Sequence, residues 1–152
     1  MRKVYIVGPS GSGKTTFARH LSKEFGIPHY ELDLLVYDDE LGRKRNDEEI
    51  KVRMNQILKE DSWIVEDVGR EIFTPFLREA ECVFYLENVR WVLYFRCFSR
   101  WIKQLYGLET ANYSPTIQTL MDHIKWIEKD LKNQEKKKRI IKNARVLMKM
   151  KR

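Results

Sequence analysis

Gly8-Pro9-Ser10-Gly11-Ser12-Gly13-Lys14-Thr15 is a complete G-x-x-x-x-G-K-[ST] phosphate-binding loop. It follows the apolar run Val4-Tyr5-Ile6-Val7 and precedes a helical pattern from Thr16 to Phe25, the strand–loop–helix order that the motif requires. Its glycines let the backbone turn N–H groups inward around a β-phosphate. The helix behind adds its own unpaired N–H groups and a partial positive charge. Lys14, expected at the exposed mouth of the loop, would reach the β- and γ-phosphates, and the Thr15 hydroxyl would ligate Mg²⁺. The motif thus predicts nucleotide contacts over Gly8, Pro9, Ser10, Gly11, Ser12, Gly13, Lys14, Thr15 and Thr16.

The rest of the chain fits one domain spanning residues 1–152, enough for a three-layer core. Apolar residues make up 43% and charged residues 34%, and no apolar run approaches the length of a membrane span. No leader pattern precedes the first strand, and Cys82 and Cys97 lack C-x-x-C spacing. These features predict a cytoplasmic protein with buried free thiols. The net charge of +7 is uneven: Lys125 to Arg152 holds twelve basic and three acidic residues, leaving −2 for the remainder. A nucleic-acid surface and the solvated face of a long helix both account for such a run. No aromatic residue interleaves Lys136-Lys137-Lys138-Arg139 to stack a base, which favours the helix face.

Strand and helix patterns alternate along the chain. Strands are expected over about 3–7, 29–32, 63–65, 82–86 and 146–150, and helices over about 13–25, 47–60 (capped by Asp47), 72–79, 89–106 and from 116 to the Lys136 region. Alternation with buried strands argues an α/β fold, a five-stranded parallel sheet with helices on both faces. Residues 37–46 and 107–115 read as loops.

Three groups of side chains could serve chemistry. Glu66 and Asp67 end an apolar strand, where a Walker-B acid holds the shell of a magnesium ion, and at least one of them is expected to be functional. Asp33 stands in the same position after the second strand and could accept a proton or hydrogen bond from a substrate hydroxyl. His29 beside it reads as structural or surface. Arg96, Arg100 and Lys103 follow i, i+4, i+7 spacing, placing three cations along one helical face where phosphoryl oxygens gain charge.

The phosphate loop, the Asp33 region, Trp63-Ile64-Val65, Leu86-Glu87-Asn88-Val89-Arg90-Trp91 with Arg96 and Arg100 beyond, and Trp126 together resemble the DNA topology modulation protein family. That family belongs to the adenylate-kinase-like P-loop kinases, and the similarity covers nearly the whole chain. The resemblance implies sheet order 2-3-1-4-5 and a helical lid over about residues 96–116, opened by Arg96 and Arg100. It aligns Glu66 with the family's aspartate and so makes Glu66 the residue that orients a magnesium water, with Asp67 secondary. The chain departs from the family in two places. It has Glu66-Asp67-Val68 where the family tends to show Asp-Gly-Asn, and no arginine lies between Leu108 and Ser114. Transition-state stabilisation would then rest on Lys14, Arg96, Arg100 and the metal.

The leading functional reading is a small kinase that moves the γ-phosphoryl of ATP, with Mg²⁺, to a small molecule or nucleotide. The alternative is a nucleotide-dependent DNA-associated protein with weak nucleic-acid contact through the basic C-terminal region. A GTP switch is excluded, because no Asn-Lys-x-Asp motif occurs and the third strand runs into Glu66-x-x-Gly69 rather than Asp-x-x-Gly.

Overall fold

Strand β1 (Lys3–Val7) is the centre of the sheet, and register sets its neighbours. β3 (Trp63–Asp67) lies on one side, with Lys3 opposite Trp63 and Val7 opposite Asp67. β4 (Cys82–Glu87) lies on the other, with Val4 opposite Cys82. β2 (His29–Glu31) adds outside β3, and β5 (Leu147–Lys151) outside β4. The order is therefore β2-β3-β1-β4-β5 with every pairing parallel, as the resemblance implied. The computed structural model describes residues 2–37, 43–87, 90–109 and 115–151, apart from the side chains of Arg90, Trp91, Gln134 and Lys151.

The two-residue period of the strands sorts the core into two layers. Tyr5, Val7, Trp63, Val65 and Val83 point to one face, where helices α3 (Asp47–Leu58), α4 (Thr74–Glu79) and α7 (Gln134–Asn143) cover them with Ile50, Met54, Phe76 and Ile140. Val4, Ile6, Ile64, Phe84 and Leu86 point to the other face, which α1 (Lys14–Phe25) covers with Ala18 and Leu21. Burying each such side chain contributes about 1.5–3 kcal/mol, so this alternation fixes the register. It also decides where each acid at the end of β3 can point. Glu66 shares the α1 face with Ile64, whereas Asp67 shares the opposite face with Val65.

Several expected boundaries move, each for a local reason. The second strand stops at Glu31, and Asp33 opens a short helix, α2 (Asp33–Val36), rather than ending a strand. Asn46, not Asp47, caps α3, in a reciprocal capping box with Glu49. The expected 72–79 helix divides into a 3-10 turn, Glu71–Phe73, and α4, with Pro75 in the first turn of α4. The single helix expected from residue 116 breaks at Asn133 into α6 (Ile117–Lys132) and α7, because the Asn133 side chain accepts from the Lys136 N–H and so starts a second helix. α5 (Arg90–Leu105) packs against α6, tied by a hydrogen bond from the Tyr94 hydroxyl to Glu128. Asn88 and Val89 of the Leu86-to-Trp91 motif, and residues 110–114 of the expected lid, lie outside the described residues. No described helix is long and apolar enough to cross a membrane.

Candidate active site

The phosphate loop joins the C-terminal end of β1 to the N-terminus of α1. Gly13 is the N-cap of that helix with φ +86°, and the helix starts without any side-chain cap. Its first N–H groups are thus left for a ligand. Gly8 is fixed by crowding: a Cβ there would lie 2.7 Å from the Leu86 carbonyl oxygen and 2.9 Å from Ser12 Oγ. The Ser12 hydroxyl is buried with no hydrogen-bond partner among the described residues.

Lys14 is buried, not exposed as the motif alone suggested, and its Nζ donates to the Pro9 carbonyl at 3.0 Å. Burial pushes its ammonium below the ordinary lysine value, opposed first by the charge of Glu66 and then by Asp33. The lysine therefore lies across the loop mouth, holding the place of a phosphate oxygen with a backbone carbonyl. Thr15 donates its hydroxyl hydrogen to Glu66 Oε1. Burial raises the Glu66 carboxyl above its usual range, against the Thr15 hydrogen bond and the Lys14 charge.

Glu66 and Asp67 diverge as the strand pleat requires. Asp67 Oδ2 accepts from the backbone N–H of Gly69 at 2.7 Å and of Arg70 at 2.5 Å, and Oδ1 pairs with the Arg70 guanidinium. Its side chain is fully buried, and desolvation raises its pKa against the Arg70 charge. These partners lie in the turn after β3, on the sheet face opposite Thr15 and Glu66. Arg70 also reaches Asp33 Oδ1 through Nη2 at 2.5 Å, and Asp33 keeps 61% of its side chain in solvent.

The arginines of α5 separate as well. Arg96 Nη1 donates to the Gly11 carbonyl of the phosphate loop at 3.1 Å. Arg100 pairs instead with Glu109 at 3.3 Å. Both line a small cavity with Ser10, Gly11, Trp101 and His123. The Trp101 indole N–H donates to the Thr116 carbonyl at 2.9 Å, fixing the end of α5 to the start of α6.

Sequence reading missed Arg70, although its i, i+3 spacing from Asp67 was a usable signal. It also missed Lys136 and Arg139, which the basic run had concealed. Lys136 is buried, pairs with Asp130 and donates to the Val68 carbonyl at 2.8 Å; Arg139 donates to the Gly69 carbonyl at 2.5 Å. Together they strap the Val68-Gly69-Arg70 turn from α7. A groove of about 500 Å³ runs between this turn and α7, lined by Arg70, Glu71, Asp130, Lys136 and Arg139.

Comparison with known proteins supports this frame. Adenylate kinase of Thermotoga neapolitana is 28% identical over 82 residues, and that of Thermotoga petrophila is 29% identical over 82 residues. Each match covers 54% of this chain and only 36% of the relative's length. Among solved structures, shikimate kinase from Acinetobacter baumannii in complex with shikimate superimposes with a TM-score of 0.63 at 17% identity, covering 100% of this chain and 85% of that one. Shikimate kinase from Bacteroides thetaiotaomicron gives 0.60 at 14%, covering 96% and 85%. A sugar kinase from Janibacter sp. gives 0.53 at 18%, covering 99% and 85%. These likenesses establish a P-loop kinase fold. The sequence model of the ATPase family associated with various cellular activities (AAA) matches residues 4–89, from β1 past the end of β4, and this chain belongs to that family.

Proposed function

We propose that this protein is a small P-loop kinase that transfers the γ-phosphoryl group of ATP to a hydroxyl of a small molecule or nucleotide. The observation that carries the reading is the solvent-facing carboxylate of Asp33, steered by Arg70 and close enough for its charge to act on the Lys14 ammonium at the mouth of the phosphate loop. A hydrolase needs only a water at that mouth, whereas a positioned exposed carboxylate suits an acceptor hydroxyl. The adenylate kinase relatives and the shikimate and sugar kinase fold neighbours support the same class.

In this reading the backbone N–H groups of residues 10–16 cradle the β-phosphate, and Lys14 leaves the Pro9 carbonyl for the β- and γ-phosphate oxygens. Thr15 and Glu66 present adjacent hard oxygens on the α1 face, a donor set that fits Mg²⁺ retaining several waters. They would hold that ion, which neutralises charge on the phosphates. The acceptor oxygen forms a bond to the γ-phosphorus as the bond to the β–γ bridging oxygen breaks. ADP leaves, and the acceptor proton passes to the Asp33 carboxylate. Arg96, already on the loop, and Arg100, once released from Glu109, face the charge that develops on the transferring group.

The DNA-associated alternative gains no support from the basic region. Lys136 and Arg139 are turned inward, and Lys125, Lys132 and Lys137 pair with Asp122, Glu128 and Glu87. A coupled ADP-release screen over hydroxylated acids, sugars, nucleosides and nucleotides tests the proposal. Release that depends on one acceptor class supports it. Release at the same rate without any acceptor would make the protein an ATPase and overturn the transfer reading.

A further inference from the structure

His29 poses a question that the phosphate-transfer site leaves unanswered. Its side chain is only 10% exposed, and its Nε2 is buried with no hydrogen-bond partner among the described residues. An unpaired buried imidazole nitrogen costs roughly 1–3 kcal/mol, so its environment requires a reason. Strand geometry supplies the neighbours. His29 and Glu31 are two apart on β2 and share a face, and the parallel register sets Glu31 opposite Glu66. All three therefore point to the α1 side of the sheet. His29 Nε2 lies 3.9 Å from Glu66 Oε1. One ligand atom from each of the three residues falls within 4.8 Å of the others, and among the described residues this is the one such cluster of His, Cys, Asp or Glu.

We infer that His29, Glu31 and Glu66 form a binding site for a divalent transition-metal ion of the Mn²⁺, Fe²⁺ or Zn²⁺ class, occupied without nucleotide. Bonds of about 2.0–2.2 Å place neighbouring ligand atoms about 3.0–3.5 Å apart, so side-chain rotations that draw these atoms together from within 4.8 Å, by about an ångström, close the set on an ion. Mixed imidazole and carboxylate donors select against Mg²⁺, which takes oxygen ligands and water. The cations around the cluster leave room for a divalent charge. Arg19 engages Glu31 Oε1 at 2.7 Å, leaving the second oxygen for the ion, and Lys14 acts on Glu66 through space. Thr15, on Glu66 Oε1, lies at the rim. Because the site shares Glu66 with the proposed magnesium position, an ion there would sit directly behind the nucleotide metal. The inference is independent of the kinase reading, since it concerns the protein without ATP.

The test is calorimetric titration of nucleotide-free, chelator-treated protein with ZnCl₂ and with MnCl₂, both in excess Mg²⁺, alongside Mn²⁺ spin resonance. Wild-type protein is expected to bind one equivalent. His29→Gln, which keeps a polar side chain but removes the imidazole, should weaken binding about tenfold or more, and Glu31→Gln on the edge strand should do likewise. His20→Ala serves as control, because the exposed His20–Glu24 pair at 3.7 Å offers a surface alternative. The inference is overturned if wild-type protein binds no stoichiometric ion. It is equally overturned if His29→Gln and Glu31→Gln, each folded by its melting profile, bind as wild type, or if His20→Ala or Cys97→Ser removes the binding.

Discussion

Arg70, three residues beyond the end of β3, holds Asp33 at 2.5 Å across from the neighbouring strand's end. The same guanidinium neutralises the fully buried Asp67. One cation thus stabilises an interior charge and aims an exterior one. Arg70→Ala should leave Asp67 buried and unpaired and should lower stability by about 2 kcal/mol, below the usual range for a severed buried pair because Arg70 keeps a quarter of its surface in water. A thermal melt checks this. Arg70→Lys should recover part of the stability, but not the acceptor KM, because an ammonium cannot fork to both carboxylates.

Lys14→Met should greatly weaken Mg-ATP binding while the chain stays folded. The methionine fills most of the buried volume of the lysine, whose only described hydrogen bond is to the Pro9 carbonyl. Calorimetric titration with Mg-ATP is the measurement. Wild-type affinity in this variant would remove the loop from nucleotide binding.

Glu66→Gln should separate stability from function. Burial raises the Glu66 carboxyl above its unfolded value, so the ionised form opposes folding. That penalty is absent below the unfolded carboxyl range and grows as pH rises from about 4 upward. At neutral pH the variant should therefore melt higher than wild type, with the gap closing toward pH 4. The same change should raise the Mg²⁺ concentration needed for ATP binding. A melt series across pH and a Mg²⁺ titration check the two halves. A variant that is less stable at pH 7 than at pH 4 relative to wild type would reverse the sign.

Arg96→Ala and Arg100→Ala should differ. Arg96 touches the nucleotide loop in the resting structure, so its loss should raise the ATP KM and lower kcat together. Arg100 rests on Glu109, so Arg100→Ala should lower kcat tenfold or more with the ATP KM little changed. Steady-state kinetics on the acceptor found by screening would show the split.

The inner sheet was readable because β1, β3 and β4 are short apolar runs that lead into the phosphate loop or end in acids. β2 and β5 mix polar with apolar residues and were placed only by their position in the strand–helix alternation. The residue pattern alone could not divide Glu66 from Asp67, although the resemblance favoured Glu66. Neighbouring residues on a strand look equivalent until the pleat assigns them to opposite faces and α1 occupies one of these. The break at Asn133 was equally hidden, since the helical period of 117–143 continues through it and only a side-chain cap interrupts it. Lys136 and Arg139 were obscured by company: four consecutive basic residues read as one solvated stripe, yet two of them turn inward.

The strap from α7 to the turn after β3 has a temporal consequence. Lys136 and Arg139 reach carbonyls at Val68 and Gly69 across 68 and 70 residues of sequence. Gly69 itself, with φ +93°, lies where a Cβ would press on Lys136 Cδ at 3.1 Å. On a nascent polypeptide the turn after β3 therefore leaves the ribosome well before its two anchors, which arrive only when α7 has been translated.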